Sequence, residues 1–248
     1  MSIKQEIGQY IRKKITYLKE TGECASTKAE LAQLRRGVGH KPGELPGLYG
    51  SLLKDMPEVF WNSEGYATKQ EWSCYIALTL YAWHQQGNDI KTQCVHTSSQ
   101  RSLGSALRLL MYKSNDSNAE ERVLKKIQIL ITSNDMDEFA YHLKSIITLL
   151  RSEAISLNYA ELAEDVYDFQ FEESKKRVSL KWGQDFYRDN KEDNKDMKHS
   201  IFDQGNTQQQ TNVLSHSDEV DIINMAKKSS VGSLKQAMTI FAEEHSDE

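Results

Sequence analysis

Proline occurs at three places in this 248-residue chain, Pro42, Pro46 and Pro57. Because proline breaks helices and is kept out of central strands, everything outside that short window is free to run as long regular elements. Runs of alternating Val, Ile and Thr that would mark strands are nearly absent. The chain therefore reads as all-α.

The periodicity places the helices. An opening amphipathic helix is expected over about 2–20, with Ile7, Tyr10, Ile11, Tyr17 and Leu18 near one side and Arg12, Lys13, Lys14 and Lys19 elsewhere. A short second helix over 27–36 should stop at Gly37 in a left-handed conformation. The stretch TKQEWSCYIALTLYAWHQQ, 68–86, opens with Thr68 three residues before Glu71, a capping-box spacing, and then turns almost wholly apolar. It should be the most buried helix of the N-terminal half. Downstream, RSLGSALRLLMYK carries the stripe Leu103, Ala106, Leu107 and Leu110, and further helices are expected over 119–132, 136–152, 159–171 and 172–187. Only 38% of the residues are aliphatic or aromatic, below the ~45–50% apolar usage of ordinary domains. A divided core is expected, with helical bundles at 1–112 and 113–189.

Charge separates the body from the tail. Residues 1–189 hold 25 Lys and Arg against 25 Asp and Glu, whereas residues 190–248 hold 6 Lys against 11 acids. The tail is polar and amide-rich, too poor in apolar surface to offset ordering entropy. It reads as an acidic, partly disordered extension, with a weak amphipathic pattern over 219–244 that allows a terminal helix. A body of balanced charge can still gather its cations on one face.

Several classes of function find no support. The apolar runs fall well short of the ~20 residues that span a bilayer, and the N-terminus lacks a secretory pattern. Cys24, Cys74 and Cys94 form no CxxC pair. A cytoplasmic protein with no membrane association is expected. There is no P-loop, GxSxG or HExxH, so no catalytic group, metal or cofactor is assigned. His84 reads as a helix-face histidine rather than a ligand. Cys94 and His96 read as chance neighbours in a loop, and a hydrolase built on them is the enzymatic alternative.

The cations are more informative. Arg35 and Arg36 end the second helix, with His40 and Lys41 in the glycine-rich loop that follows. Guanidinium forks beside backbone that a ligand can approach closely suit phosphate recognition. Arg122, Lys125 and Lys126 share a helical face by their spacing, as do Lys144 and Arg151. The segment ESKKRVSLKWGQDFYR adds Lys175, Lys176, Arg177, Lys181 and Arg188, with Trp182 and Tyr187 among them. Solvated helix faces have the same composition, and arginines at a helix C-terminus also favour its dipole, so both readings stand. Four clusters together argue for a continuous basic groove.

The segment AELAQLRRGVGHKPGELPGLYGSL, the later RSLGSALRLL and the order of helices after it resemble the CasB family, the small subunit of the type I-E CRISPR surveillance complex Cascade. The resemblance spans about 27–187, with LRRG its most specific part. It implies a non-catalytic, all-α protein of two small bundles that assembles as two copies along a crRNA-bearing backbone. The implied partners are the backbone and large subunits, crRNA and target DNA, especially the displaced strand. The family's basic positions carry over to Arg35, Arg36 and Arg108, then to Lys125, Lys126, Lys144, Lys181 and Arg188. With Lys41, Arg122 and Arg151 from the clusters, these are the candidate nucleic-acid contacts. The alternative from another class is a helical protein–protein scaffold.

Overall fold

The computed structural model describes residues 1–99, 101–114 and 117–188. Expectations for the acidic tail lie outside these residues. Among the described residues the regular elements are helices: α1 (Ile3–Glu20), α2 (Ala25–Arg36), the single turn α3 (Tyr49–Leu52), α4 (Lys69–His84), α5 (Leu103–Lys113), α6 (Ala119–Ile131), α7 (Met136–Ser152), α8 (Tyr159–Phe169) and α9 (Glu172–Tyr187). One isolated bridge joins His96 to Leu157.

Side-chain caps explain the starts of α1, α4, α5, α7 and α8. Ser2 and Gln5 close a capping box on α1, and Thr68 and Glu71 close the expected one on α4, where the Thr68 amide donates to the Glu71 carboxylate at 2.7 Å. Ser102, Asp135 and Asn158 accept from the third residue of α5, α7 and α8 respectively. Each such cap satisfies an amide that the helix leaves open, worth ~1 kcal/mol.

Helix α4 is the axis of the core. Cys74 through Ala82 are all buried, with α2, α7, α8 and α1 packed around it. Helix α8 lies against α1, α4 and α9, so Ile7, Ile11 and Ile15 of α1 belong to the same apolar cluster as Val166 and Phe169 of α8 and Trp182 of α9. Trp182 is fully buried, its ring stacked on Phe169 and its Nε1–H donating to Asp165 at 2.9 Å.

The helix stop after Arg36 is not the one expected. Gly37 has φ −68°, an ordinary right-handed value, and the positive-φ glycines of this loop are Gly39 and Gly43. What requires glycine at 37 is crowding: a Cβ there would lie 2.7 Å from Thr79 Cγ2 and 2.9 Å from Leu48 Cδ1. The Gly37 carbonyl accepts from the buried Tyr75 hydroxyl at 2.8 Å. The end of α2 is thus pressed onto α4, which fixes the position of the two arginines.

Candidate nucleic-acid interface

Arg35 is half-buried and Arg36 exposed at the tip of α2. The C-terminal part of α7 brings Arg151 close to Arg35. Burial first, and then the Arg151 charge, push the Arg35 guanidinium below its ordinary pKa. Arg151 lies over one part of the Trp83 ring, 5.5 Å from its centroid, and Lys144, two turns earlier on α7, lies 5.2 Å from the same centroid. Trp83 is itself held by its Nε1–H, which donates to Thr148 Oγ1 at 3.3 Å. Arg151 also donates to Gln86 Oε1 at 3.3 Å.

Arg35, Lys144, Arg151 and one partly exposed indole therefore meet where the ends of α2 and α4 lie against the C-terminal half of α7, with Arg36 exposed beside them at the tip of α2. Among the described residues Arg35, Arg36, Lys144 and Arg151 form no ion pair. Their charge is left to solvent and to any anion that arrives. Lys126 of α6 reaches α7 at a separate point, its Nζ 3.5 Å from Ser145 Oγ.

The other candidates are placed differently. Lys41 pairs with Asp137 at 2.6 Å, whose hydrogen bond and charge hold the ammonium's pKa above its usual range. Lys181 meets Asp165 and Glu161, each at 2.8 Å. Arg188 meets Asp185 at 3.4 Å. Arg122 donates to Ser114 Oγ at 3.3 Å and lines, with Lys126, a groove between α6 and α7, while Lys125 is exposed outside it.

Arg108 is 2% exposed and belongs to no surface cluster. Its motif has an architectural role. Ser102 caps α5 and donates to Asp185 of α9 at 2.7 Å, and a Cβ on Gly104 would sit 2.1 Å from the Trp182 carbonyl oxygen. SLGSAL is the seam where α5 and α9 cross at close range, and Arg108 follows the seam into the interior.

Trp83 escaped the sequence reading because it closes an apolar run whose earlier members are buried on every side. Ile76, Thr79 and Leu80 give no periodic sign that the next turn will reach the surface. Cys94 and His96 do not face each other. The Cys94 sulfur lies 3.8 Å from the Tyr81 hydroxyl, and His96 Nδ1 accepts from the Tyr159 amide at 3.1 Å. Among the described residues no group of three His, Cys, Asp or Glu side chains is placed to hold a metal ion, and no helix is long and apolar enough to cross a membrane.

The family model for the CRISPR-associated protein Cse2 matches residues 30–187. CasB from Thermobifida fusca is similar in structure with TM-score 0.60 and 30% identity, over 74% of this chain and 98% of that one. A Cse2-family CRISPR-associated protein from Thermus thermophilus shares the fold with TM-score 0.52 and 21% identity, over 71% of this chain and 96% of that one. No curated protein matches the chain. A family model that spans both the arginine corner and the α5–α9 seam, together with a fold shared over 74% of this chain with a relative 30% identical, places the chain in the CasB/Cse2 family of CRISPR-associated proteins.

Proposed function

We propose that the protein is a non-catalytic small subunit of a type I-E CRISPR surveillance complex, where it holds nucleic-acid backbone and steadies the displaced strand of the R-loop in antiviral defence. The observation that carries this reading is the corner of Arg35, Arg36, Lys144 and Arg151 around Trp83, cations that no carboxylate of the described residues neutralises. Two half-buried like charges side by side, Arg35 and Arg151, gain most from an anion between them.

R-loop formation exchanges one duplex for a hybrid of about equal stability, so a few backbone contacts suffice to tip it. Contacts to phosphate fix position without reading bases, which suits a protein that must act on any target sequence. In this reading two copies line the crRNA-bearing backbone in the cytoplasm, touching the backbone and large subunits, crRNA and target DNA. The compensated cations, Lys41, Lys181 and Arg188, are paired within the fold and take a smaller share of strand binding in this reading.

Fluorescence anisotropy of labelled single-stranded DNA with the wild type and with Arg35→Ala/Arg36→Ala tests the proposal. Weakened strand binding with assembly intact supports it. Lost assembly with unchanged strand affinity favours the scaffold reading instead.

A further inference from the structure

A second surface has the opposite character. Between the loop after α2, the turn α3 and the loop before α4 lies a groove of about 220 Å³, lined by Leu45, Leu48, Leu52, Leu53, Met56 and Tyr66 among others. That volume is below the ~300–1,000 Å³ of small-molecule sites, and matches one or two inserted side chains. Two of the groove's lining residues, Tyr49 and Tyr66, stand 45% and 63% accessible, and Val59 and Trp61 are exposed on the loop that leads to it. Exposed aromatics grouped at an apolar concavity mark binding surfaces.

The charge around it decides what binds. Between 42 and 67 the sequence carries Glu44, Asp55, Glu58 and Glu64 against the one cation Lys54. Glu44 is held ionised by the Lys41 amide, which donates to it at 3.1 Å. Asp55 meets Lys14 at 3.6 Å and Glu44 meets His40 at 3.2 Å, whereas Glu58 and Glu64 form no ion pair among the described residues and carry the uncompensated charge. This rim repels nucleic acid and attracts a cationic polypeptide.

The rim is also formed in advance. Asn62 accepts from the Glu64 and Gly65 amides, both at 3.1 Å, and its own amide group donates to the Tyr66 carbonyl at 3.0 Å. Thr68 donates to the Phe60 carbonyl at 2.6 Å. A loop already tied in its bound shape loses little entropy on docking.

We propose that this groove docks a segment of another protein chain in which an apolar side chain is flanked by lysine or arginine. That the other chain is a subunit of the same complex rests on the function proposed above, whereas the class of segment follows from the groove alone. Protein is thereby met at the acidic, apolar groove and nucleic acid at the basic corner.

The test places the photo-crosslinker p-benzoylphenylalanine at position 66 of the full-length protein in the assembled complex, followed by mass spectrometry. A crosslink to a protein segment with an apolar residue between basic ones is the expected result. Crosslinks to nucleic acid, to a second copy of this chain, to an acidic segment or to nothing overturn the proposal. In parallel, Tyr66→Ser/Glu64→Lys should reduce incorporation into the complex at least tenfold while strand anisotropy stays at the wild-type value. Both residues are exposed, and a circular dichroism melt confirms the fold. Normal incorporation of this variant also overturns the groove. Loss of strand binding in Arg35→Ala/Arg36→Ala is read separately, so either proposal can fail without the other.

Discussion

Replacing Arg35 and Arg36 with alanine should change the salt dependence of strand binding by an amount the structure fixes in advance. Each phosphate neutralised on a single strand contributes ~0.7 to the negative slope of log K against log salt. With Arg35, Arg36, Lys144 and Arg151 each engaging one phosphate, the wild type should show a slope of about −2.8 and the double variant about −1.4. Between 50 and 200 mM salt the wild type then loses roughly 50-fold in affinity and the variant about sevenfold. Anisotropy of a labelled oligonucleotide at five or six salt concentrations measures both slopes. Arg188→Ala is the control, because its charge is already shared with Asp185, and its slope should match the wild type. A mixed sequence and a homopolymer should give the same values, since phosphate contacts carry no base information. Equal slopes for the wild type and the double variant would refute the assignment of this corner as the phosphate contact. So would a fall in slope for Arg188→Ala equal to that of the arginine pair, because ion-paired and uncompensated cations would then be equivalent.

Three further outcomes follow from the geometry. Trp83→Ala should weaken strand binding about two- to fivefold, since it removes a ring contact worth ~0.5–1 kcal/mol in ordering Lys144 and Arg151, yet leave the salt slope unchanged because the phosphate count is the same. Gly104→Ala should destabilise the fold by ~1–3 kcal/mol or more in urea unfolding, as the new methyl meets α9 backbone, whereas Gly183→Ala, with open space around it, should be neutral or gain up to ~1 kcal/mol of helix propensity. Burial holds both His84 and His96 at pKa about 4, against 6.5 in an unfolded chain. The unfolded state takes up protons first as pH falls, so their contribution to stability is complete above pH 6.5 and is lost between 6.5 and 4, up to about 3 kcal/mol each. Glu164 and Asp165, whose pKa values burial raises, act in the opposite direction over the acid limb. His96→Gln should therefore flatten the acid limb of stability measured by urea unfolding; an unchanged pH profile would rule out the histidine contribution.

Much of the fold was legible because it is written in local signals. Thr68 and Glu71 announced the start of α4, and the boundaries of α6, α7 and α9 followed from apolar period and charge placement, with the Asn134/Asp135 start at α7, to within a residue or so. The apolar run from Cys74 marked the helix that others surround. What a linear reading misses is the partner of each side chain. Lys181 and Arg35 look alike in sequence, each a cation in a basic helical segment, yet Lys181 is committed to Asp165 and Glu161 while Arg35 has Arg151 for a neighbour. Gly37 was expected to serve backbone conformation and instead serves close packing, a distinction set by Thr79 and Leu48 far along the chain.

The two most recognisable segments of the sequence thus act on different links of the same chain of cause. RSLGSALRLL is recognisable because two helix backbones must pass within van der Waals distance at Gly104, with Ser102 bridging to Asp185 across the seam. Its arginine at 108 is carried inside by that crossing. LRRG is recognisable because Gly37 lets the end of α2 settle on α4, and the arginines before it are thereby held beside α7 rather than left on a frayed tip. If the corner works by fixed geometry, enlarging Gly37 should disturb strand binding although it removes no charge. A Cβ at 37 would displace Thr79 and Leu48 contacts and tilt the helix end, so Gly37→Ala should lower strand affinity several-fold at every salt concentration while the slope stays near that of the wild type. A variant that lost slope as well would show that the arginines had left the strand altogether. A folded variant with unchanged affinity would show that the corner needs its charge and not its shape.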